Sequence, residues 1–148
     1  MVRRLAEWHK ALIFVAALSV TVAGLYAYVQ ASQPPRVQPQ GVRGVHLTID
    51  GGSWRIDYAP AETTNNSAFA ILMEASEAFG FPVEYVRYTI PDGVFVTAIN
   101  GSRNGEGGRF WQFWVNGAYG SVAADHAAIH DGDAVLWWYT SSREGTPA

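Results

Sequence analysis

Phe110-Trp111-Gln112-Phe113-Trp114-Val115-Asn116-Gly117 is the stretch on which the fold turns, answered further on by Ala134-Val135-Leu136-Trp137-Trp138-Tyr139. Alternation puts Trp111, Phe113 and Val115 on one face of a strand and Phe110, Gln112 and Trp114 on the other. Neither face is cheap to leave in water, so at least one must be covered. Asn116 and Gly117 both tolerate positive φ and mark a hairpin turn. Asp131-Gly132-Asp133 then leads into the second aromatic strand, which is expected to lie beside the first.

Working back from this pair, Asn104-Gly105 and Gly107-Gly108 punctuate residues 101–108. The stretch carries no following Lys-Ser or Lys-Thr and runs into a strand, so it reads as a turning loop and not a phosphate cradle. Residues 94–99 and 81–90 read as strands joined by Pro91-Asp92-Gly93, although both sides of 81–90 mix apolar and charged residues and neither is marked as buried.

Between residues 67 and 79 the period changes. Phe69, Leu72, Met73 and Ser76 recur at helical spacing, with Asn66 or Thr64 placed to cap the first turn and Gly80 to end the last. Earlier still, Val45, Leu47 and Ile49 alternate with polar residues, and Gly51-Gly52 turns the chain into a partner carrying Trp54, Ile56 and Tyr58. The expected core is Phe69, Leu72, Met73, Val96, Ile99, Val115, Val135 and Leu136, in an α+β domain of five or six strands over residues 44–142.

The N-terminal third is of another kind. Residues 11–29 carry no charge, and nineteen helical residues reach about 29 Å, close to the hydrocarbon thickness of a bilayer. They are read as a transmembrane helix. The flank 1–10 holds Arg3, Arg4 and Lys10 against Glu7 alone, which favours a cytoplasmic N-terminus and an extracytoplasmic C-terminal domain in a single-pass cell-membrane protein. The alternative is a signal core cleaved near Ala31, with the domain secreted. Residues 30–43, with Pro34, Pro35 and Pro39, read as a spacer with almost nothing to bury, and 143–148 as a tail.

Composition excludes several classes. No cysteine is present, so disulfides, thiol nucleophiles and lipidated cysteines are all out. The part after residue 30 has seven arginines, no lysine and twelve acids, which offers no footprint for a nucleic acid. Serines lack a nucleophile-elbow pattern, and no enzyme activity is expected. Asp125, His126, His130, Asp131 and Asp133 cluster within nine residues, but their spacing fits no recognised metal loop. His126 and His130 are the weak metal candidates, and a polar connection ending in an Asp-Gly turn is the ordinary reading. No cofactor is expected.

Taken in order, the helix at 66–79, Val96-Thr97-Ala98-Ile99-Asn100-Gly101, Trp111 to Gly117, and Asp131-Gly132-Asp133 with Val135 to Tyr139 resemble the transcobalamin C-terminal-like domain family in a membrane-anchored, bacterial-type form. The resemblance covers about residues 45–142. It implies a small β-grasp-like mixed sheet packed on one helix. In cobalamin transporters that resemble this chain such a domain is the smaller half of a clamp, and the helical barrel that forms the other half has no counterpart in residues 1–43.

The function expected is a membrane-tethered, non-catalytic binding module for a small molecule or peptide, held to the lipid bilayer through residues 11–29. Trp111, Phe113, Trp114, Trp137, Trp138 and Arg109 are the candidate ligand contacts, Trp114 first among them. The alternative is a structural or interaction subunit of a larger membrane assembly, with a membrane protein as partner.

Overall fold

The computed structural model describes residues 2–32 and 34–141, with residues 2–7 described by backbone alone. Arg3 and Arg4 as side chains, Ser142 and the expected tail 143–148 lie outside the described residues. The chain forms two units, one to residue 33 and one from Pro34 onward.

The first unit is a single helix, α1 (Val2–Ser32). Its segment Trp8–Ser32 is long and apolar enough to cross a membrane. Leu12, Ile13, Phe14, Leu18 and Val20 are all exposed, as expected of an apolar helix with no core of its own.

The second unit is the α+β domain. In chain order it contains β1 (Val42–Arg43), β2 (His46–Asp50), β3 (Arg55–Tyr58), β4 (Glu62–Thr63), α2 (Ala68–Phe79), β5 (Val83–Thr89), β6 (Asp92–Ile99), β7 (Ser102–Arg103), a 3-10 turn at Glu106–Gly108, β8 (Phe110–Val115), β9 (Ala118–Tyr119) and β10 (Ala134–Thr140). Six of these strands have four or more residues, as expected, and the other four are two-residue pairings. The main sheet is mixed, in the order β3-β2-β10-β8-β9, with β10 parallel to β2 and antiparallel to β8. The register sets Trp137 opposite Phe113, Tyr139 opposite Trp111 and Leu136 opposite Trp114. A second sheet has the order β5-β6-β7, and β1 pairs with β4 alone.

Helix α2 lies against both larger sheets. Trp137 of β10 donates its indole N–H to the Ala68 carbonyl at 3.1 Å, while Phe69 meets Tyr85 of β5 edge-on at 4.9 Å. The core follows period two: Val45, Leu47 and Ile49 from β2 and its approach, Val135, Trp137 and Tyr139 from β10, Trp111 and Phe113 from β8, Val94 and Val96 from β6. Met73 and Val115 are half-buried at its edge. Leu136, expected inside, instead points to the opposite face of the main sheet, because its neighbours Val135 and Trp137 take the inward positions.

The first N–H groups of a helix have no partner within it. Here Ala68 and Phe69 donate to the carbonyls of Ala127 and Ala124, at 2.9 and 3.0 Å, and Ala70 donates to Ser67 Oγ at 3.1 Å. The cap is therefore Ser67, not Asn66 or Thr64, and the connection 118–130 serves as a collar for the helix start. Gly80 closes the other end at φ 74°, in the left-handed region.

The spacer expectation needs correcting. Residues 34–43 form a strap laid on the domain, with Val42 buried in the core. Asn66 holds it by donating to the Gln38 carbonyl at 3.1 Å and accepting from Gln40 N–H at 3.2 Å. His126 Nδ1 lies 2.6 Å from the Pro34 carbonyl, and Arg36 grips Asp92 with two bonds of 2.6 Å. Backbone groups make most of these contacts, which is why no apolar pattern announced them.

Arg36 sets the pH response of the strap. Its hydrogen bond, more than its charge alone, holds the Asp92 carboxyl below the ordinary carboxylate range, with burial opposing and His126 assisting. A depressed folded-state value means that the contact is present above the unfolded value and is lost as pH falls through the folded one. Hydrogen exchange at Gln40, whose N–H is bonded to Asn66, corrected for intrinsic rates, should rise once pH drops below about 4. Arg36→Ala should produce the same local rise at neutral pH; equal protection in both proteins would show that the ion pair does not hold the strap.

Candidate functional site

The outward positions of the main sheet, on the face opposite α2, form a groove of about 440 Å³. Period two assigns its lining: His46, Thr48 and Asp50 from β2, Arg55 from β3, Leu136 and Trp138 from β10, and Trp114 from β8. Gly117, in the turn after β8, and Ala134 close one end without side-chain bulk.

One side of the groove is aromatic. Trp114 packs at 5.8 Å against Trp138 and edge-on at 5.5 Å against Tyr119, which leaves it only 2% exposed. Trp138 and Leu136 are half-buried, the large apolar side chains of the groove that keep some exposure. The other side is a polar rail. Arg55 binds both oxygens of Asp57, with bonds of 3.0 to 3.2 Å, and Thr48 donates to Asp57 Oδ1 at 2.7 Å. The Arg55 hydrogen bond first, and then that of Thr48, hold the Asp57 carboxyl below its usual value. Asp50 Oδ1 accepts the Gly52 N–H at 2.8 Å, which fixes the turn at the end of the rail. An aromatic floor beside fixed charged groups suits a flat ligand with one polar edge.

The candidates from sequence separate onto two faces. Trp114 and Trp138 line the groove. Trp111, Phe113 and Trp137 are buried on the α2 side, with Phe113 and Trp137 at 5.2 Å and Trp111 and Tyr139 at 5.1 Å; Trp114 is as buried as they are and backs Trp138, which is the more open tryptophan of the groove. Arg109 stands away from the groove, its guanidinium 4.7 Å from the centre of the Tyr139 ring, in a cation–π contact. The rail residues Thr48, Asp50, Arg55 and Asp57 were missed. They were accessible in principle as the polar half of the alternation on either side of Gly51-Gly52.

His126 and His130 are put to different uses. His126 is buried beneath the strap, its Nε2 3.4 Å from Asp92 and 3.9 Å from Asp125. His130 is exposed, 3.5 Å from Asp133. Asp131 and Asp133 accept the backbone N–H groups of Arg43 and His130, both at 2.8 Å, as turn-forming carboxylates do. Among the described residues no three His, Cys, Asp or Glu side chains are placed to hold a metal ion. A larger hollow of about 600 Å³ lies between the strap and residues 126–131, but Asn66, His126 and Asp131 on its wall are already engaged in holding the strap.

Comparison with known proteins adds a family and a fold. The profile of a domain of unknown function (DUF4430) matches residues 66–141, from just before α2 through β10. No curated protein matches the chain. A crystal structure of a candidate metal-binding protein from Ruminococcus gnavus is similar with a TM-score of 0.50 and 17% identity, covering 68% of this chain and 99% of that one. At that identity the likeness concerns the fold.

Proposed function

The chain belongs to the DUF4430 family, and from that premise we propose that residues 34–141 are a non-catalytic binding module, tethered to a membrane by residues 11–29 on its extracytoplasmic side. The observation that carries this reading is the groove on the outer sheet face, where Trp138, Leu136 and Trp114 adjoin the Arg55–Asp57–Thr48 rail. The ligand is a flat, partly apolar small molecule or an extended peptide laid across β10. The resemblance to transcobalamin C-terminal-like domains fits a module that presents one face of its ligand to another protein.

The metal binding ascribed to the Ruminococcus gnavus protein is not carried over, because the described residues bring no suitable ligand set together. Catalysis is not proposed either: the only groove hydroxyl, that of Thr48, donates to a carboxylate already engaged by arginine.

Tryptophan fluorescence of the full chain in detergent, titrated with haem, corrins, glycans and short peptides, tests the site. A saturable change should appear with one class. Trp138→Ala should weaken it about tenfold or more, as expected for loss of a stacking ring worth about 1.4 kcal/mol. Arg55→Ala should weaken it too, and Arg109→Ala should leave it unchanged. No saturable change with any class, or equal binding by the Trp138 variant, would remove the groove as the site. A protein co-purifying at fixed stoichiometry would favour the interaction-subunit reading instead.

A further inference from the structure

The hairpin of β5 and β6 carries its apolar side chains on the wrong side for a domain surrounded by water. Val86 stands opposite Phe95 in register and Tyr88 opposite Gly93. Ile90, in the turn, is 57% exposed, Tyr88 50% and Phe95 47%. Single exposed apolar residues are ordinary, but a cluster on one hairpin marks a contact surface.

Two further observations say what it contacts. First, the strap pins this hairpin to the place where the chain enters the domain. Arg36 is bonded twice to Asp92, the first residue of β6, and Pro34 is held by His126. Pro34 follows Ser32, the last residue of the apolar helix, after one intervening residue in the sequence. Second, all three charged residues of β5 and β6 are in ion pairs: Glu84 with Arg103, Arg87 with Asp125, and Asp92 with Arg36. Paired charges are cheaper to bring toward a low-dielectric region than free ones, and none is left over to attract anionic headgroups.

We propose that the β5–β6 hairpin is a membrane-docking surface, with Tyr88, Ile90 and Phe95 entering the headgroup region of the bilayer that residues 11–29 cross. The inference rests on the tether reading. Tyrosine suits that depth, its ring in the apolar boundary and its hydroxyl in water. The contact is apolar, so it holds in uncharged lipid and at high salt.

The absence of cysteine permits single-site labelling of the full chain. A fluorophore on Thr89→Cys, reconstituted in phosphatidylcholine vesicles with nitroxide-bearing headgroups, should be quenched several-fold more than one on Glu77→Cys, the exposed far part of α2. The difference should survive high salt and vanish when Tyr88 and Phe95 are both changed to aspartate. Equal quenching at the two positions, in vesicles shown by flotation to carry the chain, overturns the docking and leaves the tether standing. Failure to float overturns the tether and this inference with it. A Thr89→Cys label shielded from both lipid nitroxide and aqueous iodide would mean a protein covers the hairpin, which also overturns it.

Discussion

Trp137→Ala lowers the unfolding free energy of the domain by about 3–5 kcal/mol, a large part of what a domain of this size possesses. The ring is 2% exposed and joins the main sheet to α2. It stacks on Phe113 at 5.2 Å, donates to the Ala68 carbonyl at the start of α2, and sits at the middle of the central strand. Truncation removes the contact area and leaves a space that neighbours on three elements cannot collapse to fill. Urea unfolding followed by far-ultraviolet circular dichroism gives the measure. A midpoint shift no greater than that of Trp138→Ala, on the outer face, would mean that the inner ring is not structural.

Gly120→Ala is expected to cost about 2–3 kcal/mol by overpacking, with a melting temperature lower by about 10 °C or more. A β-carbon on Gly120 would overlap the Phe113 ring, which covers the backbone there. The Gly120 N–H also donates to the Phe113 carbonyl at 2.8 Å, so the chain cannot swing away without losing that bond. Phe113→Leu should relieve the clash, making the double variant more stable than the sum of the single costs allows. Additive costs would place the strain elsewhere.

These two residues illustrate what could be read without coordinates. The two aromatic strands, their adjacency and the split of their side chains between two faces were legible, because period two is a local property of the chain. Which face met α2 was not, since Trp111 and Trp114 are equally apolar and the decision comes from the helix. The strap was illegible for a different reason. Prolines and glutamines over residues 34–40 have the composition of a linker, and their anchorage depends on Asn66, Asp92, His126 and Asp131, all distant in sequence. Of the candidate site, the tryptophans of the groove were named, but its polar rail follows from the β2–β3 register, which places Thr48 opposite Asp57.

The place of β10 between β2 and β8 also governs the order of events as the protein is made. The strand that joins the two halves of the main sheet is the one synthesised last, and its parallel neighbour lies 88 positions earlier, with His46 beside Ala134. Until residues 134–140 have emerged, β2 and β8 have no strand between them, and Leu47, Ile49 and Phe113 lack one wall of the core they share with α2. The main sheet is therefore completed late, and a pairing between segments so far apart in sequence is slow to form. During that interval the exposed β2 edge is available to any passing strand, and factors that hold unfolded chains will find their longest window there.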